Sequence, residues 1–77
     1  MFLEVSKDLR TSCIKSYQLV SLEDMVNKHP FSCDLRSWGY GGRKGSKFTI
    51  TNKIGIFSYI KTDEIDKDKL SVLVTTL

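Results

Sequence analysis

The sequence predicts an α+β fold, mainly β: a small curved antiparallel sheet of five or six strands, forming a partial barrel or half-sandwich, with one short helix. Three observations predict it. Apolar and polar residues alternate in several short runs, most cleanly over residues 47–52 and 54–60. Only residues 21–29 combine helical spacing with a start and a stop signal. The chain has 77 residues, enough for one domain (1–77) and one modest core.

The elements follow in chain order. Phe2, Leu3 and Val5 around Glu4 read as a strand, and residues 7–11 as a polar turn. Residues 12–20 alternate imperfectly, which predicts an extended segment broken near Lys15-Ser16. At residues 21–29, Ser21 and Asp24 resemble a capping box. Val20 and Met25 are placed for a hydrophobic staple, and Pro30 stops the run. A strand continuing through Leu22 is the rival reading.

Residues 31–36 read as a strand. Residues 37–46 read as a loop, because they hold four of the five glycines. Phe48 and Ile50 alternate against Lys47, Thr49 and Thr51. A turn at Asn52-Lys53 leads into residues 54–60, which are bulky on both faces. Such a strand is central, or its Phe57/Tyr59 face meets another element. Residues 62–69 form a charged connection with up to one helical turn, and Val/Thr-rich residues 71–77 read as a final strand.

Composition narrows the function classes. With 40% hydrophobic and 27% charged residues, the chain is neither disordered nor fibrous. No apolar run approaches the roughly 20 residues of a membrane-spanning helix, and no secretory leader is evident. The cytoplasm is the expected compartment, with Cys13 and Cys33 as buried reduced thiols. His29, Cys33 and Cys13 fall short of the four ligands of a structural zinc site. Residues 39–45 miss the dinucleotide fingerprint, 44–46 are not a P-loop, and 63–68 lack the spacing of a calcium loop. His29 stands without a catalytic constellation. The sequence therefore predicts a non-enzyme with no metal and no cofactor.

The net charge of +3 conceals a segregation. Residues 35–62 carry Arg36, Arg43, Lys44, Lys47, Lys53 and Lys61 and no acid, whereas both flanks are net acidic. Trp38 and Tyr40 lie in the same segment. Trp, Tyr and Arg dominate protein interface hot spots. Arg36, Trp38, Tyr40, Arg43, Lys44 and Lys47 are accordingly the candidate binding residues.

Residues 34–42 (DLRSWGYGG), the 45–48 hairpin entry, residues 54–59 and the Val-Leu-Val run at 72–74 together resemble part of the bacterial PH-like domains. The resemblance covers residues 31–76 and implies a curved-sheet module for binding or self-assembly, not catalysis. Those domains close one end with a C-terminal helix, whereas the strand reading of 71–77 leaves an apolar sheet end and an edge uncovered. A second copy or a partner would then complete the sheet.

The sequence thus points to a non-catalytic small binding module acting through protein–protein contacts. It would be an accessory, inhibitor or assembly protein that also self-associates. The alternative is a nucleic-acid binder using the basic, aromatic, glycine-rich loop 36–47, with cations on phosphates and rings on bases.

Overall fold

The computed structural model describes residues 1–63 and 66–75. Four strands form one antiparallel sheet: β1 (Phe2–Lys7), β2 (Ile14–Val20), β3 (Lys47–Thr51) and β4 (Ile56–Lys61). Their order is β2-β1-β4-β3, so the sheet is open, with edges at β2 and β3. Three helices accompany it: α1 (Leu22–Lys28), α2 (Cys33–Gly41) and α3 (Lys67–Thr75).

The two central strands are buried on both faces, and this sets the layers. From β1, Phe2 and Glu4 face α1 and α2, while Leu3 and Val5 face α3. The first face packs Phe2, Val20, Phe57 and Tyr59 against Met25 of α1 and Leu35 of α2, with Trp38 and Phe48 alongside. The second packs Leu3, Val5 and Ile60 against Leu70 and Val74 of α3. Covering both faces makes a three-layer α/β/α molecule. The bulk on both sides of residues 54–60 is explained by β4's central place.

The first half of the chain follows its local signals. Asp8 Oδ1 accepts from the backbone N–H groups of Arg10 (2.8 Å) and Thr11 (3.1 Å), closing the β1–β2 turn. Ser6 pairs with Ser16 and Lys7 with Ile14, so Lys15 is the extra residue of a bulge. That bulge is the break expected near Lys15-Ser16. Ser21 Oγ accepts from Asp24 N–H at 3.1 Å, and Asp24 Oδ2 accepts from Ser21 N–H at 3.5 Å. The capping box therefore starts α1, and His29 ends it beside Pro30.

Three expectations are corrected. Residues 33–41 form α2, where a strand and then a glycine loop were expected. Leu35, Trp38 and Gly39 recur at helical spacing and bury one face of α2, and that burial outweighs glycine's helix cost of about 1 kcal/mol each. A side chain at Gly39 would collide with Leu22, so glycine permits the close approach of α1 and α2. Residues 67–75 form α3, where the strand 71–77 was expected. Leu70, Leu73 and Val74 share a helical face that packs on the sheet; residues 76 and 77 lie outside the described residues. The described residues thus hold four strands and three helices, not five or six strands and one helix, and α3 covers the sheet end expected to be bare.

The cysteines are also corrected. Cys13 and Cys33 are both free but exposed, Cys13 in the β1–β2 turn and Cys33 at the solvent-facing start of α2. The connection through Thr62 and Asp63 is not helical, and residues 64 and 65 lie outside the described residues. Among the described residues, no helix is long and apolar enough to cross a membrane.

Candidate binding surface

The six sequence-predicted residues do not form one patch. Arg36 and Tyr40 stand one turn apart on α2, both exposed, Tyr40 at 76%. They line a groove of about 570 Å³ between α1 and α2, opposite Glu23 and Asn27, with Leu22 and Val26 as its apolar part. Glu23 and Asn27 are themselves one turn apart on α1. Each helix therefore presents a single charged group, of opposite sign, with a neutral polar group beside it.

Trp38 turns the other way. Its ring packs against Phe2 (5.3 Å between centroids) and Phe48 (5.6 Å), and its Nε1 is buried without a hydrogen-bond partner among the described residues. A side chain at Gly42 would lie 2.6 Å from the Trp38 carbonyl oxygen, so glycine lets the chain leave α2 over this ring. Arg43 is exposed in the loop after α2. Lys44 pairs with Asp63 at 2.7 Å, and this contact holds the Asp63 carboxyl below its ordinary value. Lys47 opens β3 opposite Ile60, which places it on the α3 side of the sheet.

Lys61, counted among the cations of the basic segment, is structurally engaged. Its Nζ donates to the carbonyls of Gly39 (2.9 Å) and Gly42 (2.8 Å). It thereby places a positive charge at the C-terminal end of α2, where unpaired carbonyls accumulate. The basic segment is thus split between the α1–α2 side, the loop and the α3 side.

Two further grooves lie elsewhere on the surface. One of about 490 Å³ runs between α3 and the Lys44-Gly45 loop, with Ile60, Val72 and Leu73 as its apolar lining. The other, about 300 Å³, lies at the bulge, between Lys15, Lys28, Ile54 and Phe57.

A buried polar network lies under the α1–α2 layer, and the sequence reading missed it. Glu4 is 2% exposed. Tyr59 O–H donates to its Oε2 at 2.8 Å, while Lys28 Nζ (3.0 Å) and Gln18 Nε2 (3.2 Å) donate to Oε1. The Tyr59 oxygen lies 2.8 Å from His29 Nε2, which must then carry the proton. Burial raises the pKa of Glu4, but the bonds from Tyr59, Lys28 and Gln18 outweigh it and hold the carboxyl below its ordinary value. Burial, and then the Lys28 charge, depress His29. Burial and the bond to Glu4 push the Tyr59 phenol up. The one available signal was a glutamate inside the apolar run Phe2–Val5. The network ties β1, β2, β4 and α1 together, and its Lys28 reaches the groove at the bulge.

The chain matches no protein-family model, no curated protein and no solved structure. Its function is therefore read from these surfaces alone. Phe31, 96% exposed between α1 and α2, also belongs to the outer surface, and no sequence pattern marked it.

Proposed function

We propose that this protein is a non-catalytic protein-binding module whose contact surface is the α1–α2 groove. The observation that carries the reading is the pairing of Arg36 and Tyr40 on one exposed face of α2, opposite Glu23. Tyrosine offers a large, rigid contact area, and arginine a forked donor for a carboxylate. Leu22 and Val26 supply the apolar strip that an interface centre requires. A partner segment carrying one acid and one base around an apolar residue fits this groove. On this reading the protein is an accessory, inhibitor or assembly factor.

Affinity capture from the native host, with wild type and Arg36→Ala/Tyr40→Ala compared side by side, tests the reading. A partner held by the wild type and by Lys47→Ala, but lost by the double variant, is the expected result. Equal capture by all three proteins would overturn it.

A further inference from the structure

We propose that the groove at the β2 bulge binds a small phosphate monoester. The site is separate from the α1–α2 groove, and the inference goes beyond the protein-binding reading.

The sheet builds the floor of this groove. Gln18, Glu4 and Tyr59 form one cross-strand row on the α1 side of the sheet. Ser16, Ser6 and Phe57 form the next row on the same side. Lys28 and His29 reach down from the end of α1 to the first row. The second row lines the groove, and of α1 only the last residue, Lys28, does so. Phe57 is almost fully buried, and Ile54 stands exposed beside it before β4. The groove measures about 300 Å³, at the small end of the range for organic ligands.

Lys28 and Lys15 bring ammonium groups to this floor from α1 and β2. Lys28 Nζ lies 3.0 Å from Glu4 Oε1 and 4.5 Å from the centroid of the Phe57 ring. These two contacts fix its position, yet its side chain remains 41% exposed. An ammonium carries three N–H donors, and Glu4 takes one of them. Lys15 is the extra residue of the bulge, a device that re-aims a side chain. Its Nζ is 3.9 Å from Asp8 Oδ2, too far for a hydrogen bond. Asp8 turns its other oxygen to the backbone N–H groups of Arg10 and Thr11. Among the described residues no carboxylate lines the groove: Glu4 and Asp8 both lie outside the lining.

The chemistry of these groups selects the ligand. Two ammonium groups and the hydroxyls of Ser6 and Ser16 together offer donors from three elements to one small volume. A phosphate monoester answers them with about two negative charges and three acceptor oxygens. Ile54 and Phe57 supply an apolar wall beside the donors, which suits the carbon portion of an ester and gives nothing to free phosphate.

Amide chemical shifts of the full chain, followed while ligand is added, test the proposal. Phenyl phosphate is expected to give saturable shifts centred on Ser6, Lys15, Ser16 and Ile54, and to bind severalfold more tightly than inorganic phosphate. Phenol, which keeps the ring without the phosphate, should leave those amides unmoved. Lys15→Gln/Ser16→Ala should weaken phenyl phosphate by roughly tenfold. Both side chains are exposed on an edge strand, so circular dichroism of this variant should match the wild type. Arg43→Gln removes an exposed cation elsewhere and should leave binding unchanged. Four results would overturn the proposal. They are no saturable shift at tens of millimolar phenyl phosphate, equal affinity for inorganic phosphate, equal affinity for phenol, or a folded Lys15→Gln/Ser16→Ala that binds no more weakly than Arg43→Gln.

Discussion

The Tyr59 hydroxyl donates a 2.8 Å hydrogen bond to Glu4 Oε2, joining two central strands whose residues lie 55 apart in sequence. Glu4 and Tyr59 are direct cross-strand partners, and Gln18 continues the same row on β2. Tyr59→Phe keeps the ring but strips a donor from Glu4 and an acceptor from His29, both buried. Leaving such groups unpaired costs about 1–3 kcal/mol. Urea denaturation of this variant should show that loss with an unchanged slope. A loss under about 0.5 kcal/mol, less than an ordinary hydrogen bond, would mean the two groups find other partners.

The same network makes stability fall in acid. Glu4 titrates below its ordinary 4.5 in the folded chain. Its contribution is complete above that value and is lost as pH drops through the lowered one. His29 is also depressed, from an ordinary 6.5, because burial and Lys28 disfavour its charge. The unfolded chain therefore takes up this proton first, and stability declines from about pH 6.5 downward. Denaturation midpoints measured from pH 8 to 3 should show both stages. His29→Gln should remove the upper stage and leave the lower one. A midpoint flat between pH 7 and 5 in the wild type would contradict the placement of His29.

What the sequence made legible was local. Ser21, Asp24 and Pro30 announce α1 within a single segment, and the alternation of Phe48 and Ile50 needs no partner to be read. The misread elements depend on packing. In and just after α2, Gly39, Gly41 and Gly42 argue for a loop until Leu22 is seen against Gly39. In α3, Val72, Val74 and Thr75 favour a strand by propensity, and only the sheet face supplied by Leu3, Val5 and Ile60 selects the helix on Leu70 and Val74. The candidate surface inherits these errors. Arg36 and Tyr40 are neighbours because residues 33–41 are helical, and Trp38 turns inward for the same reason.

Lys61 offers a test of how α2 is ended. Its ammonium satisfies the Gly39 and Gly42 carbonyls from the neighbouring strand β4. Lys61→Met retains the stem and removes both bonds. The expected cost is about 1–2 kcal/mol, as for loss of a charged partner at a partly buried helix end. Amide hydrogen exchange should quicken in α2 and stay slow in β1. Uniform acceleration through the molecule would instead show that Lys61 supports the whole fold and not this helix end.

Removing the Lys44–Asp63 pair should do little. Both side chains are largely exposed, 64% and 75%, and surface pairs of this kind are well screened by solvent. Lys44→Ala should melt within experimental error of the wild type. A clear drop in midpoint would show that the pair fastens the loop to the start of the α3 connection.

Trp38 separates the protein-binding reading from the nucleic-acid alternative. Base stacking requires a free aromatic face, and this ring packs against both Phe2 and Phe48. Its fluorescence should therefore follow unfolding and remain unchanged when a single-stranded oligonucleotide is added, at low or high salt. Trp38→Ala should cost about 2–3 kcal/mol, less than a fully buried tryptophan because the residue is only partly covered. Quenching by the oligonucleotide that disappears at high salt would reverse the assignment. It would require the loop after α2 to open and would return Arg36, Tyr40, Arg43, Lys44 and Lys47 to service on a phosphate backbone.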